Sequence, residues 1–165
     1  MDAEAPILIA EDDENDAFIV KRALQEAGAH CPVHFCKDGL EVRAFLCGEA
    51  PYGDRQQFTL PWLLITDLKM PRMNGLELLK WLRGHSGCGL IPTIMLSASG
   101  QFCDIQEAYR LGANSYLVKP SSYKDLVEAM KLIVGYWGIC ARPATPIDWQ
   151  PGMLAPGVQP GHSTA

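Results

Sequence analysis

Five short apolar runs limit how this chain can fold: "PILIA" (6 to 10), "VHFC" (33 to 36), "WLLIT" (62 to 66), "PTIML" (92 to 96) and "SYLV" (115 to 118). Each is of strand length, bounded by turn residues, and apolar continuously rather than at alternate positions. Strands of that kind must be covered on both faces, which points to a parallel sheet rather than a half-solvated antiparallel one. Between the runs, apolar residues recur at helical spacing: Ala17, Val20, Leu24 and Ala27; Val42, Phe45 and Leu46; Leu76, Leu79 and Leu82. A shorter helix near 104–111 and a longer one near 122–138, with Leu126, Met130, Ile133 and Trp137 on one face, complete the alternation. Strands alternating with helices predict a doubly wound α/β domain.

With 165 residues and 48% hydrophobic content, the chain has material for one domain with a full core. That domain is expected within residues 1–142, with its core at about 6–138. The polar, Pro- and Gly-containing stretch "CGEAPYGDRQQFTLP" (47 to 61) is expected to be an exposed insertion. Residues 143–165 are rich in Pro and Gly, lack Lys and Arg, and read as a tail without an output domain, disordered unless Trp149 docks. A net charge of -5 opposes direct nucleic-acid binding, which rests on Lys and Arg neutralising phosphates. No apolar run is long enough to cross a membrane, and "MDAEAP" lacks the order of a signal peptide, so a cytoplasmic protein is expected. The six cysteines form no CxxC pair and read as reduced packing residues.

The chemistry lies in the residues that follow the strands. Glu11 and Asp12 follow the first, Asp67 the third, Ser97 the fourth, and Lys119 with Pro120 the fifth. In an open parallel sheet these positions share the carboxyl edge, where such folds place their ligands. Singly, each has an ordinary explanation: Asp12 as the cap of a helix starting near Glu14, Asp67 as a turn or cap residue, Ser97 satisfying a backbone group, Lys119 as a surface lysine. Together they are harder to dismiss, because carboxylates about 5 Å apart repel by about 3 kcal/mol per pair at an effective dielectric near 20. Such a cluster calls for a cation, and hard oxygen donors suit Mg²⁺, with Mn²⁺ as a substitute. A divalent ion, a lysine and a hydroxyl around one carboxylate make a site where that carboxylate, Asp67, accepts a phosphoryl group by in-line transfer.

Taken in order, "ILIAEDD", "LLITDLKMPRMNGLELL", "IMLSAS" and "GANSYLVKP" resemble the receiver domain of a two-component response regulator over roughly residues 6 to 138. The resemblance implies a flavodoxin-like (βα)5 three-layer sandwich with a five-stranded parallel sheet in the order 2-1-3-4-5. It implies Glu11 and Asp12 as the acidic pair, Asp67 as the phosphorylated aspartate and the Lys69 backbone carbonyl as a further Mg²⁺ ligand. It also implies Ser97 as the switch hydroxyl, Lys119 as the phosphoryl-binding lysine, Tyr116 as the switch aromatic and a cis Lys119–Pro120 bond. Lys69 and Ser99 stand where the family tunes dephosphorylation, and Ser121 stands where a Phe is frequent. The implied partners are a sensor histidine kinase and a downstream protein target or phosphotransfer protein, with no direct nucleic-acid or membrane partner. The long insertion, "ANSYLVKP" and a last helix ending in "YWG" resemble stand-alone receivers paired with bacterial phytochrome-type kinases. Such relatives often form homodimers through helix 4, strand 5 and helix 5, where Tyr136 and Trp137 would serve.

Three rival functions differ in class. A phosphohydrolase forming an aspartyl phosphate needs a second Asp two residues after the nucleophile, where this chain has Lys69. A cofactor-binding module needs a Gly-, Ser- or Thr-rich phosphate cradle after the first strand, where this chain has "EDDEND". The remaining alternative is a receiver-like interaction module that works without phosphorylation, and the complete set of site residues argues against it. The expectation is a signalling protein, not an enzyme, that takes a phosphoryl group from a histidine kinase onto Asp67.

Overall fold

The computed structural model describes residues 5–85 and 87–142. The tail expected at 143–165, including Trp149, lies outside the described residues. Five strands alternate with five helices: β1 (Ile7–Ala10), α1 (Glu14–Glu26), β2 (Val33–Cys36), α2 (Gly39–Cys47), β3 (Leu63–Thr66), α3 (Gly75–Arg83), β4 (Thr93–Ser97), α4 (Phe102–Arg110), β5 (Ser115–Val118) and α5 (Tyr123–Ile139). The strands form one parallel sheet in the order β2-β1-β3-β4-β5, as expected.

Strand periodicity divides the core in two, because successive side chains point to opposite faces. Ile7, Ile9, Leu63, Ile65, Ile94 and Leu96 pack with Val20, Ala23 and Leu24 of α1 and Leu126, Met130 and Ile133 of α5. Leu8, Ala10 and Leu64 face the other way, onto Val42, Phe45 and Leu46 of α2 and Leu78 and Leu82 of α3. Leu79, Met95 and Ala108 continue that second layer toward α4. Trp137 is half-buried against the first layer, while its neighbour Tyr136 is exposed. All six cysteines are free, and burial in the second layer pushes the Cys88 thiol up to about 12. Among the described residues no helix is long and apolar enough to cross a membrane.

The helix starts follow the local sequence. Asp13, Asp38, Asn74 and Ser122 each accept a backbone N–H in the first turn of the helix they precede. Asn74 and Glu77 form a reciprocal capping box that fixes where α3 begins, eight residues into the connection after β3.

The insertion after α2 departs from expectation: it is docked, not simply exposed. Tyr52 and Phe58 place their rings 5.1 and 5.9 Å from Phe45, and 5.2 Å from each other at 90°. The last carbonyls of a helix have no partner within it. Arg55 supplies one, its Nη1 donating to Phe45 O at 2.9 Å and Phe58 O at 3.1 Å and its Nη2 to Leu46 O at 2.6 Å. Polar composition suggested a solvated loop; one guanidinium and two aromatic rings make it a lid on the α2 end of the core.

Candidate functional site

The sheet itself carries its ladder one residue past the strand ends. Glu11 N donates to Cys36 O at 3.0 Å, Asp67 N to Ala10 O at 2.9 Å and Lys119 N to Ser97 O at 2.7 Å. The backbone of the predicted site is therefore fixed by hydrogen bonds belonging to the most buried part of the fold. Gly75 holds the connection after β3 close: its N–H donates to Leu68 O at 2.8 Å, and an added Cβ would strike the Asp67 carbonyl oxygen. That close approach explains the glycine at the first position of α3.

The acids converge. Oxygens of Glu11, Asp12 and Asp67 lie within 4.8 Å of one another. Asp13, not Asp12, caps α1, so the Asp12 carboxylate has no capping role to fill. Glu11 is buried, and burial pushes its carboxyl up to about 6, with the Lys119 hydrogen bond pulling the other way. Both Asp67 oxygens are oriented: Oδ1 accepts the Leu68 N–H at 2.5 Å and Oδ2 accepts Lys119 Nζ at 3.0 Å. A set of hard carboxylate oxygens, one exposed at Asp12, fits Mg²⁺ or Mn²⁺, which retain waters and take few protein ligands.

Lys119 is the hub. Its Nζ donates to Glu11 Oε2 at 2.6 Å, Asp16 Oδ2 at 2.8 Å and Asp67 Oδ2 at 3.0 Å. Burial opposes its charge, yet the three carboxylates outweigh burial and hold the ammonium above the ordinary lysine value. Asp16 was not anticipated from the sequence. No local pattern signalled it, because Asp16 lies in the first turn of α1 and meets Lys119 only through the fold. The Lys119–Pro120 bond, expected to be cis, is trans; Ala50–Pro51 is the cis bond among the described residues. Trans is the ordinary preference of an X–Pro bond by about 0.5–1 kcal/mol, and Lys119 reaches its partners from it.

Above Asp67 a cleft of about 310 Å³ is lined by Lys69, Ser97, Ser99 and Gln101. Ser97 is buried at its floor, with Oγ accepting the Ser99 N–H at 3.3 Å. Ser99 Oγ donates to Asp104 on α4 at 2.5 Å, and Tyr116 Oη donates to Ser99 O at 2.8 Å. Burial raises the Tyr116 hydroxyl, so it remains a donor at neutral pH. The β4–α4 connection is thus held from two sides, by α4 and by β5.

The receiver domain family of response regulators matches residues 7–131. Among curated relatives, the probable methanogenesis regulatory protein FilR2 of Methanothrix harundinacea is 30% identical over 139 residues, covering 83% of this chain and 87% of that protein. Among solved structures, response regulator RPA3017 in red light signaling of R. palustris has a TM-score of 0.81 at 31% identity, covering 86% of this chain and 100% of the other. The phosphorylated cyanobacterial phytochrome response regulator RcpA has a TM-score of 0.78 at 28% identity, over 86% of this chain and 100% of the other.

Proposed function

Because the chain belongs to the response regulator receiver domain family, we propose that it is a response regulator accepting a phosphoryl group from a histidine kinase onto Asp67. The observation that carries this is the junction at Asp67, where one carboxylate meets both the acidic cluster and the Lys119 ammonium at 3.0 Å. An Asp67 oxygen attacks phosphorus, the bond from phosphorus to the donor imidazole nitrogen breaks, and the electron pair stays on the imidazole. Glu11, Asp12 and Asp67, with the Lys69 carbonyl beside the same cleft, would hold the divalent ion. When bound, that ion supplies the positive charge that lets phosphoryl oxygens approach a carboxylate cluster. Lys119 and Ser97 take the phosphoryl oxygens that face them.

Phosphorylation adds roughly two negative charges at pH 7. Drawing Lys119 and Ser97 onto them disturbs the β4–α4 connection, and Tyr116, bonded to Ser99 in that connection, follows. The equilibrium between two arrangements of α4, β5 and α5 shifts, and a protein partner reads the result. Tyr109 on α4, Val118 on β5 and Leu132 and Tyr136 on α5 are exposed and offer apolar area for a second copy or a target protein. The two structural relatives named for red-light and phytochrome signalling favour a phytochrome-type kinase as donor, acting in the cytoplasm.

The test is the intact mass of wild type and Asp67→Asn after incubation with acetyl phosphate and Mg²⁺, with and without EDTA. The expected result is a gain of one phosphoryl group in wild type alone, abolished by EDTA. No gain under any condition overturns the proposal in favour of an interaction module that works without phosphorylation.

A further inference from the structure

We propose that Asp16 is a positioning residue for Lys119, a carboxylate on α1 that competes with the phosphoryl group for the ammonium and so weakens the hold of Lys119 on that group. This rests on Asp67 being the phosphoryl acceptor.

A lysine ammonium has three N–H donors. Here all three are committed, to Glu11, Asp16 and Asp67. Two of those acceptors change role when a phosphoryl group arrives: Asp67 becomes an acyl phosphate, a mixed anhydride, and Glu11 would serve the divalent ion. Asp16 does not change. It lies outside the acidic cluster formed by Glu11, Asp12 and Asp67, so the ion does not claim it. Its backbone is fixed as well, because Asp13 Oδ1 accepts the Asp16 N–H at 2.9 Å in the first turn of α1.

The distances show the direction of the effect. Lys119 Nζ is nearer to Asp16 at 2.8 Å and Glu11 at 2.6 Å than to Asp67 at 3.0 Å. Asp16 thus draws the ammonium toward α1 and away from the acceptor. It does so beside a cavity of about 440 Å³ between α1 and the loop of Lys119, Pro120 and Ser121. A carboxylate there also repels a dianionic phosphoryl group. Both effects weaken the hold of Lys119 on the acyl phosphate, and both vanish in Asp16→Asn.

The experiment uses the full chain in four forms: wild type, Asp16→Asn, Asp16→Glu and Glu14→Gln. Glu14 carries the same charge in the same helical turn and is not among the three carboxylates that hold Lys119, so it controls for loss of charge alone. The lysine ammonium NMR signals of the unphosphorylated proteins should show a protected Lys119 group in wild type and Asp16→Glu, altered in Asp16→Asn and unaltered in Glu14→Gln. Calorimetric titration with beryllofluoride and Mg²⁺, which together mimic an acyl phosphate, should give about three- to fivefold tighter binding in Asp16→Asn, as expected for one half-exposed ion pair. Asp16→Glu should return to the wild-type value. Equal affinities in Asp16→Asn and Glu14→Gln, with beryllofluoride still binding wild type, overturn the role of Asp16 alone. Failure of wild type to bind beryllofluoride overturns the acceptor function of Asp67 and this inference with it.

Discussion

Lys119 Nζ lies 2.6 Å from Glu11 Oε2, although 108 residues separate them in the chain. The contact closes the two halves of the sheet edge over Asp67 and neutralises part of a strongly acidic site. It also sets an ammonium in competition with any divalent ion for the same carboxylates. Lys119→Met should therefore bind Mg²⁺ about tenfold more tightly in the unphosphorylated protein, as removal of a nearby positive charge at low effective dielectric requires. Calorimetric titration checks this, and an unchanged affinity would mean that the ammonium vacates the cluster without resisting the ion.

Gly75 is the next test of how the site is held. A methyl group there meets the Asp67 carbonyl oxygen, with Met95 Cε at 2.8 Å and Leu68 Cα at 3.0 Å. Because backbone must move to accommodate it, Gly75→Ala should cost about 1–3 kcal/mol. Urea denaturation measures the loss, and phosphoryl uptake from acetyl phosphate should slow in the same variant as Asp67 shifts.

Asp38 ties two connections together. Its side chain is buried, caps α2 by accepting the Glu41 N–H at 3.0 Å, and pairs with Arg72 at 2.5 Å. Arg72 holds a left-handed backbone, with φ at 63°, in the connection that carries Lys69. Asp38→Ala should lose about 2 kcal/mol through the cap and the ion pair together. Arg72→Gly loses the pair but relieves the left-handed strain at that position, so a smaller loss is expected; equal losses in urea would assign the effect chiefly to the pair.

His34 supplies a pH dependence away from the acidic cluster. It packs beside Phe45 and Phe58 at ring distances of 5.4 and 5.6 Å, and burial, reinforced by Lys21, lowers its proton affinity below the ordinary 6.5. A depressed imidazole takes up its proton less readily folded than unfolded, so stability is unaffected above the unfolded value and declines as pH falls below about 6.5. His34→Phe should flatten the acid side of a plot of melting temperature against pH. A slope identical to wild type would assign the acid sensitivity to other groups.

Much of this protein was legible before folding. Continuous apolar runs demanded a two-faced parallel sheet, and the residues just past them, Glu11, Asp12, Asp67, Ser97 and Lys119, fell on one edge because strand ends in such a sheet must. Local spacing also located most helices to within a few residues, since caps and periodicity are short-range signals. Other features required the third dimension. In the sequence Asp12 read as a candidate cap of α1, and only the turn geometry gave the cap to Asp13 and left Asp12 with the cluster. The insertion looked solvated because its anchor, Arg55, is a polar residue whose donors the helix-end carbonyls satisfy only in the folded chain. Asp16 reached Lys119 through the packing of α1 on the sheet, a contact across 103 residues that no local pattern encodes. Short-range periodicity determined which residues stand at the edge; the meeting of separate elements decided which of them hold one another's charge.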